Sequence, residues 1–351
     1  MNNSTMLVSG GAGFIGSHFV KLWAQNNPGA NIIVVDKLTY AGNTQYLQGL
    51  DITFVQADIC DRNVINALFD EYEFDIVINF AAESHVDRSI ENPEVFLQTN
   101  ILGTQTLLEA ARKSWISTDS YREGVRFLQV STDEVYGSLG DEGAFTESTP
   151  IAPRSPYAAS KAGADHLVHA YCETYKFPAC ISRCSNNYGP HQYPEKLIPL
   201  MVRKIISAQE LPVYGDGMNI RDWIYVTDHC EALCLILQQG KNGEVYNIGG
   251  ETEMRNIDLV KELIRTTRNL VSNSQSKYAD INAHQITNTL IRFVQDRKGH
   301  DYRYAIDSTK ISDELDWKPT VSLPEGLKRT IKWYLDNAEW IFMGESKWKN
   351  N

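Results

Sequence analysis

A tyrosine and a lysine in the second quarter of the chain have the spacing needed for proton transfer. Tyr157 and Lys161 form the pattern YxxxK, and Ser155-Pro156 before them is typical of a helix N-cap followed by proline at the first helical position. On a helix, this spacing places both side chains on one face. A nearby ammonium lowers the pKa of a phenol, so that the tyrosinate can take a proton from a hydroxyl group. Because YxxxK is common by chance, its meaning depends on the motifs that accompany it.

A glycine-rich segment near the N-terminus is typical of a dinucleotide site. Gly10, Gly13 and Gly16 follow a short apolar run and open a helical pattern. Glycines at these positions allow a tight turn, a close approach to a pyrophosphate and close helix–strand packing. About 20 residues further on, Asp36 ends a second apolar run, where its carboxylate can bind ribose hydroxyls and repel a 2′-phosphate. We therefore expect NAD rather than NADP, although the neighbouring Lys37 weakens this preference. The alternative is a purely structural glycine turn.

Other residues around these motifs are candidates for the same cofactor. Phe14 and Ile15 lie within the glycine segment, and Asp58-Ile59 follow a third apolar run, where they could meet the adenine or simply cap the strand. We also expect Tyr157 and Lys161 to border the nicotinamide.

Two adjacent carboxylates follow the fifth apolar run. The segment Ser131-Thr132-Asp133-Glu134 comes directly after Phe127–Val130, which predicts a strand. At a strand end beside a nicotinamide, one carboxyl group can protonate a departing hydroxyl while the other removes a carbon-bound proton. This requires surroundings that separate their pKa values. The alternative is a solvated turn, where aspartate and glutamate are common.

The glycine segment and YxxxK together resemble the extended short-chain dehydrogenase/reductase superfamily. That resemblance implies that Thr132 completes a triad with Tyr157 and Lys161. The acid pair narrows the resemblance to one family within the superfamily. The run from Ser131 to Gly137 is similar to that of the dTDP-glucose 4,6-dehydratase family. In that family the aspartate acts as acid and the glutamate as base, which assigns these roles to Asp133 and Glu134. Simple sugar epimerases of the superfamily typically lack the pair.

The resemblance extends over nearly the whole chain and implies a nucleotide-sugar substrate. It adds Ala81 and Ala82 to the cofactor site. The substrate contacts that it implies are Ser84, His85, Asp87, Asn186, Glu195, Lys196, Leu197, Pro212, Tyr214, Arg221, Asn256, Arg297 and His300. Arg221 and Arg297 are each suited to a bidentate phosphate contact. For any one of these arginines or histidines in isolation, a surface charge or local salt bridge is the alternative.

The sequence departs from the family pattern at four positions. Ser9 and Gln129 replace an expected threonine and histidine, and Lys298 and Tyr302 stand where proline and arginine are expected. These departures leave the nucleotide and sugar preference open. We therefore keep three alternatives: a 4,6-dehydratase of another nucleotide sugar, a UDP-hexose 4-epimerase and a non-catalytic NAD-binding protein.

The elements that position these residues predict an α/β fold. Apolar runs alternate with helical patterns, which predicts a Rossmann-type doubly wound parallel sheet and a smaller mixed C-terminal substrate-binding domain. We assign residues 1–186 to an NAD-binding domain that carries the catalytic residues, with some later segments returning to it. Residues 187–351 mainly bind the nucleotide sugar. The polar stretch 272–289 predicts a loop or insertion.

Composition limits the setting in which the protein works. The 33 basic and 44 acidic residues give 351 residues a net charge of −11, which disfavours nucleic acid and anionic membranes. We expect no signal peptide, membrane span or metal site. His166 and His169, for example, lack accompanying ligands. The six scattered cysteines form no CxxC pair and indicate a cytoplasmic protein.

The family resemblance implies a homodimer that pairs through helix Val95–Arg112 and the helix carrying Tyr157.

Overall fold

The computed structural model describes residues 4–274, 276–297 and 299–342. Lys298, one of the departures noted above, lies outside these residues. The strands in chain order are β1 Thr5–Ser9, β2 Asn31–Asp36, β3 Thr53–Gln56, β4 Ile76–Asn79, β5 Ile116–Ser117, β6 Ser120–Tyr121, β7 Arg126–Thr132, β8 Ala179–Cys184, β9 Asn186–Tyr188, β10 Leu211–Tyr214, β11 Ile220–Tyr225, β12 Val245–Ile248, β13 Glu253–Arg255 and β14 Ile291–Val294.

Helices follow most of these strands. They are α1 Phe14–Asn26, α2 Arg62–Glu71, α3 Val86–Glu91, α4 Pro93–Phe96, α5 Thr104–Trp115, α6 Pro156–Tyr175, α7 Leu197–Ile206, α8 Val226–Gln239, α9 Asn256–Asn273, α10 Thr309–Leu315, α11 Leu323–Asp336 and α12 Ala338–Phe342. Among the described residues, no helix combines the length and apolar character needed to cross a membrane.

A parallel sheet forms the centre of the molecule. Within the described ranges it has seven strands in the order β12-β8-β7-β4-β1-β2-β3. Strands β1, β2 and β4 are buried on both faces, as the continuous apolar runs predicted, while the edge strand β3 is only half-buried. Helices α1 and α8 cover one face, while α2, α5 and α6 cover the other. The predicted doubly wound Rossmann-type fold is confirmed.

Smaller sheets and a second core lie beyond the central sheet. Strands β13-β11-β9 form a mixed sheet, and β10 pairs with β14. A separate apolar cluster joins α7, α9 and α11. Strand β12 lies late in the chain and yet completes the central sheet beside β8.

The predicted helix Val95–Arg112 is not one regular α-helix. Between α4 and α5 the chain forms a π-helical segment, Leu97–Gly103. Within it, the Asn100 side chain binds both backbone polar groups of Glu83 and donates to the Ser160 hydroxyl at 2.8 Å. Such segments often mark functional sites. Here the segment ties the loop after β4 to α6.

The polar stretch 272–289 is only partly a loop. Its first two residues end α9, and Tyr278 and Ile286 are buried in the second core. The predicted insertion therefore contributes apolar anchors that its overall polarity concealed.

Candidate active site

Two cavities open at the point in the central sheet where the strand order changes direction. Strands β1 and β4 are neighbours there, and ligands of such sheets bind outside the carboxyl ends of the strands. One cavity has a volume of about 340 Å³ and the other about 690 Å³. Both are lined by Ser84, Glu134, Asn186, Glu195 and Lys196. Groups bound in the two cavities would meet at these residues.

The first cavity collects every residue that the sequence assigned to the cofactor. It is lined by Gly10, Gly13, Phe14, Ile15, Gly16, Asp36, Asp58, Ile59, Ala81, Ala82, Tyr157 and Lys161. Thr132, Asp133 and Glu134 line the same cavity. The structure therefore brings the two predicted groups together, and the role of each residue stays a prediction.

The glycine segment lets a ligand approach the protein backbone at the start of α1. Gly10 has φ +70°, and a Cβ atom there would lie 2.6 Å from the Ala81 nitrogen. Gly13 caps α1, and no side chain in the described residues accepts a hydrogen bond as its cap. The first-turn N–H groups therefore face the cavity with the positive end of the helix dipole, which suits a pyrophosphate.

Asp36 and its neighbours fit a ribose without a 2′-phosphate. The Asp36 carboxylate accepts hydrogen bonds from the backbone N–H groups of Ala12 at 3.0 Å and Leu38 at 2.8 Å. Lys37, which weakened the sequence preference for NAD, instead pairs with Asp58 at 2.7 Å. The Asp58 carboxylate therefore offsets the charge of Lys37, and the two carboxylates together fit NAD.

Thr132 shapes the turn that carries the acid pair. It is the last residue of β7 and caps the 3₁₀ turn Asp133–Tyr136, where its hydroxyl accepts from the Glu134 N–H at 3.3 Å. The same hydroxyl donates to Asp133 Oδ1 at 3.3 Å. The turn buries Asp133, which is 2% exposed, and the predicted alternative of a solvated turn is wrong for it.

The surroundings shift the pKa values of the two carboxyl groups differently. Burial raises the pKa of Asp133 well above its ordinary value, and the charges of Glu134 and Asp222 raise it further. Burial also raises the pKa of Glu134, but the cations Arg221 and Lys196 oppose that rise. Asp133 is therefore the group that holds a proton, and Glu134 is the better base.

The YxxxK residues lie on α6 as predicted. Ser155 caps the helix by accepting from the Ala158 N–H, and Pro156 is its first residue. Lys161 is buried, and its Nζ donates to the Val130 carbonyl at 2.7 Å.

The pKa of the Tyr157 phenol differs from the sequence expectation. Burial raises it well above the ordinary value, with further contributions from Glu134 and Cys184. The hydrogen bond with the Thr132 hydroxyl lowers the pKa of Tyr157. Lys161, which was expected to lower this pKa, is not among the groups that shift it most, and its Nζ donates to the Val130 carbonyl.

Several cavity residues were missed by the sequence analysis. The loop Thr39–Gly42 lines the cofactor cavity, as do Cys184, Asn187 and Tyr193. Thr39–Gly42 and Cys184 lie at or just beyond carboxyl ends of sheet strands, β2 and β8, and that position was the available signal.

The second cavity collects every predicted substrate residue. It is lined by Ser84, His85, Asp87, Asn186, Glu195, Lys196, Leu197, Pro212, Tyr214, Arg221, Asn256, Arg297 and His300. Asn256, at the start of α9, has a buried Oδ1 without a hydrogen-bond partner among the described residues. Such an atom is suited to a ligand donor.

The two arginines have partners that the sequence did not indicate. The Arg297 Nη2 donates to Asp87 Oδ2 at 3.0 Å, and its Nε lies 2.7 Å from Oδ1 without hydrogen-bond geometry. Arg221 donates to the carbonyl of Asp301 at 2.9 Å and stacks over Tyr304 at 4.4 Å. Arg297 can therefore make the predicted bidentate contact with a phosphate only after it releases Asp87.

The histidines and the lysine of this cavity are also held in place. His85 caps α3 by accepting from the Arg88 N–H at 3.3 Å, and burial lowers its pKa to about 4. Lys196 donates to the Ser84 carbonyl at 2.9 Å, and His300 Nδ1 lies 2.7 Å from an Asp296 oxygen. His166 and His169, by contrast, are exposed on α6, away from both cavities.

The fold and the site define an enzyme of the extended short-chain dehydrogenase/reductase class. A family model described as GDP-mannose 4,6 dehydratase matches residues 7–330. The dTDP-glucose 4,6-dehydratase of Xanthomonas campestris pv. campestris (strain B100) is 49% identical over 96% of this chain and 95% of its own. The chain belongs to the dTDP-glucose 4,6-dehydratase family.

Solved structures agree with this assignment. A dTDP-glucose 4,6-dehydratase from Bacillus anthracis in complex with NAD is 43% identical, covers 96% of this chain and 98% of its own, and has a TM-score of 0.83. A UDP-glucose 4-epimerase from Thermotoga maritima has a TM-score of 0.81 at 29% identity, covering 95% of this chain and 99% of its own. The fold is thus shared with epimerases.

Proposed function

We propose that this protein uses bound NAD to convert dTDP-glucose to dTDP-4-keto-6-deoxyglucose with loss of water. The observation that carries the proposal is the pair Asp133 and Glu134. Asp133 is buried in the first cavity with a pKa well above its ordinary value, and Glu134, which lines both cavities, has a pKa whose rise on burial Arg221 and Lys196 oppose. An epimerase has no water to eliminate and needs no such pair. A non-catalytic binder needs neither the pair nor Tyr157 and Lys161.

The first cavity holds NAD in this proposal. Gly10, Gly13 and Gly16 approach the pyrophosphate at the α1 N-terminus, and Asp36 binds the ribose. NAD bound there would supply the hydride acceptor for C4 of the sugar and the hydride donor for C6, and its positive charge would lower the pKa of Tyr157. Lys161 holds the nicotinamide end together with Tyr157.

Tyr157 starts the reaction by taking the proton of the C4 hydroxyl. Thr132 lies within hydrogen-bond reach of this phenol and stabilises its ionised form. The ketone formed at C4 makes the C5 proton acidic, and Glu134 removes it. Asp133 protonates the C6 hydroxyl, and the C6–O bond breaks with release of one water. Glu134 then returns its proton to C5, which completes the product. Tyr157 releases the proton taken from the C4 hydroxyl to solvent and Asp133 regains one from solvent, so all three groups return to their starting states.

The second cavity holds the nucleotide and the diphosphate. Arg221, Arg297 and Lys196 supply positive charge there, while Asn256 offers a polar contact to the nucleotide. The other predicted residues that line this cavity enclose the sugar and the nucleotide. In this proposal residues 1–186 mainly serve NAD and catalysis, and residues 187–351 mainly serve the nucleotide sugar, with β12 returning to the sheet.

We also propose a homodimer. Val95, Leu97 and Leu102, on and beside the π-helical segment, are 39%, 48% and 53% exposed, and a partner copy would cover them. The predicted interface helices, Val95–Arg112 and α6, pack against each other and present this surface. Light scattering of the wild type and of Leu102→Glu tests it, with a monomeric wild type as the refuting outcome.

We place the protein in the cytoplasm, because all six cysteines are unpaired in the structure. Free thiols persist in reducing compartments. In the described part of the chain, no group of three or more acidic, histidine or cysteine side chains is arranged to hold a metal.

Mass spectrometry of reaction mixtures tests the proposed function. Purified protein is incubated with dTDP-glucose, first without and then with added NAD. Loss of one water mass supports the proposal, and turnover without added NAD means that the cofactor copurifies. Water loss from a GDP- or UDP-linked sugar, but not from dTDP-glucose, would keep the mechanism and replace the substrate. Inversion at C4 without water loss would favour the epimerase.

A further inference from the structure

Three distant parts of the chain meet beside the cofactor cavity, and two of them line it. The loop after β2 contributes Tyr40 and Tyr46, the loop before α7 contributes His191 and Glu195, and α12 contributes Trp340. We propose that these five residues form a clasp that holds the cavity closed and retains NAD between reaction cycles. The proposal concerns retention of NAD and does not depend on which sugar nucleotide is converted.

The inner contact of the clasp is made by Tyr40. This residue lines the cofactor cavity, and its hydroxyl donates to Glu195 Oε1 at 3.0 Å. Its ring meets Tyr193 edge-on at 5.2 Å, and the Arg88 guanidinium lies 4.0 Å over the ring. Burial and the carboxylates of Glu195 and Glu83 raise the pKa of Tyr40, so its hydroxyl stays protonated and donates.

The outer contact of the clasp is an aromatic stack. The rings of Tyr46 and His191 are 4.3 Å apart and nearly parallel, and the Trp340 Nε1 donates to the Tyr46 hydroxyl at 2.8 Å. Trp333 meets His191 edge-on at 4.8 Å. Burial lowers the pKa of His191 to about 4, so the ring is neutral at physiological pH and stacks without a charge to solvate.

Each half of the clasp is fixed to the body of the protein. On one side, the Asn43 N–H donates to the Ala12 carbonyl of the glycine segment at 2.9 Å. On the other side, the Tyr334 hydroxyl donates to the Gly189 carbonyl at 3.0 Å. The halves therefore cannot separate without breaking the contacts between them.

The clasp joins two segments that line the cofactor cavity. Thr39–Gly42 belong to one segment, and Gln192, Tyr193 and Glu195 belong to the other. In this proposal the joined segments retain the dinucleotide, so breaking the clasp should speed its dissociation. Retention suits a reaction that regenerates its cofactor in each cycle.

Two conservative substitutions test the clasp. Tyr40→Phe removes the hydroxyl that binds Glu195, and Trp340→Phe removes the N–H that binds Tyr46. A hydrogen bond to a charged acceptor is worth more than a neutral one, so we expect NAD to dissociate about 10-fold faster from Tyr40→Phe and about 5-fold faster from Trp340→Phe. The matched control is Tyr171→Phe, which removes a half-buried hydroxyl that donates to Glu109 at 3.3 Å, away from the cavity.

The readout is NAD itself. The protein is purified without added NAD, its NAD content is measured after denaturation, and the loss of NAD is followed during dialysis. Thermal unfolding of each variant with saturating NAD establishes that it is folded, and Glu195→Gln is the second variant if Tyr40→Phe fails to fold. Dissociation from the clasp variants at the rate of the wild type and of Tyr171→Phe would overturn the proposal. No sugar nucleotide is present, so an error in the proposed function cannot produce either outcome.

Discussion

Replacing Asp133 by asparagine should separate the activity of this protein from its stability. The change keeps the volume of the side chain and the neutral form that burial favours. Asp133 Oδ2 is buried and has no hydrogen-bond partner among the described residues, so the amide loses no contact there. Asparagine, however, cannot deliver a proton to the departing hydroxyl. We expect normal folding and a severe loss of dehydration.

The size of both effects follows from the surroundings of Asp133. General acid catalysis contributes about 10²- to 10⁴-fold to a rate, and the 10³-fold midpoint corresponds to about 4 kcal/mol in the activation barrier. Because the pKa of Asp133 is raised in the folded state, the native protein binds this proton more tightly than the unfolded chain does. The contribution of Asp133 to stability is therefore full below the ordinary aspartate pKa and falls as the pH rises toward the folded-state pKa.

The asparagine variant has no such titration at this position. Relative to the wild type it should gain stability with rising pH, at up to about 1.4 kcal/mol per pH unit, until the folded-state pKa is passed. Urea unfolding at a series of pH values measures the gain, and water loss from dTDP-glucose by mass spectrometry measures the activity. Wild-type dehydration by the variant would refute the role of Asp133 as acid. A stability difference that does not change with pH would refute the raised pKa.

Three further substitutions address the base, the cofactor site and the fold. Glu134→Gln should still oxidise C4, seen as absorbance of reduced nicotinamide, but lose about 10²- to 10⁴-fold in water loss; equal loss of both would contradict its role as base. Gly10→Ala places a Cβ atom 2.6 Å from the Ala81 nitrogen at φ +70°, so it should lose NAD binding and roughly 1–2 kcal/mol from backbone strain alone, measured by NAD titration and urea unfolding. Asp228→Ala removes the buried carboxylate that accepts from the Thr320 N–H at 3.0 Å and its hydroxyl at 2.8 Å, and should lower the free energy of unfolding by roughly 3 kcal/mol; a loss near zero would mean that water replaces these bonds.

The sequence was sufficient for the fold and for placing every predicted residue in its cavity, although it missed Thr39–Gly42, Cys184, Asn187 and Tyr193. Strands buried on both faces have a continuous apolar pattern, and parallel strands bring their carboxyl ends to one edge of the sheet. Residues at the carboxyl ends of strands, such as Asp36 and Thr132, therefore had to converge. Local rules also placed the N-terminus of α6, because Ser155-Pro156 is a strong start signal.

The sequence could not supply the interactions between these residues. The different pKa shifts of Asp133 and Glu134 depend on Asp222, which raises the pKa of Asp133, and on Lys196, which lowers that of Glu134, and both groups come from other parts of the fold. The pairing of Arg297 with a carboxylate was equally hidden, because both partners were assigned to the ligand. The π-helical segment escaped detection because its apolar pattern differs little from that of an α-helix.

The contact between Tyr46 and Trp340 joins residues 294 positions apart, and this distance has a consequence for biosynthesis. A ribosome releases the glycine segment and the loop after β2 early, long before residue 340 emerges. Until then the nascent chain can form the contacts of Tyr40 with Glu195 and of Tyr46 with His191, but not the hydrogen bond from Trp340. The last contact of the clasp should therefore form late in maturation, and proteolytic clipping before residue 340 should leave a folded sheet that loses its nucleotide faster than the intact protein.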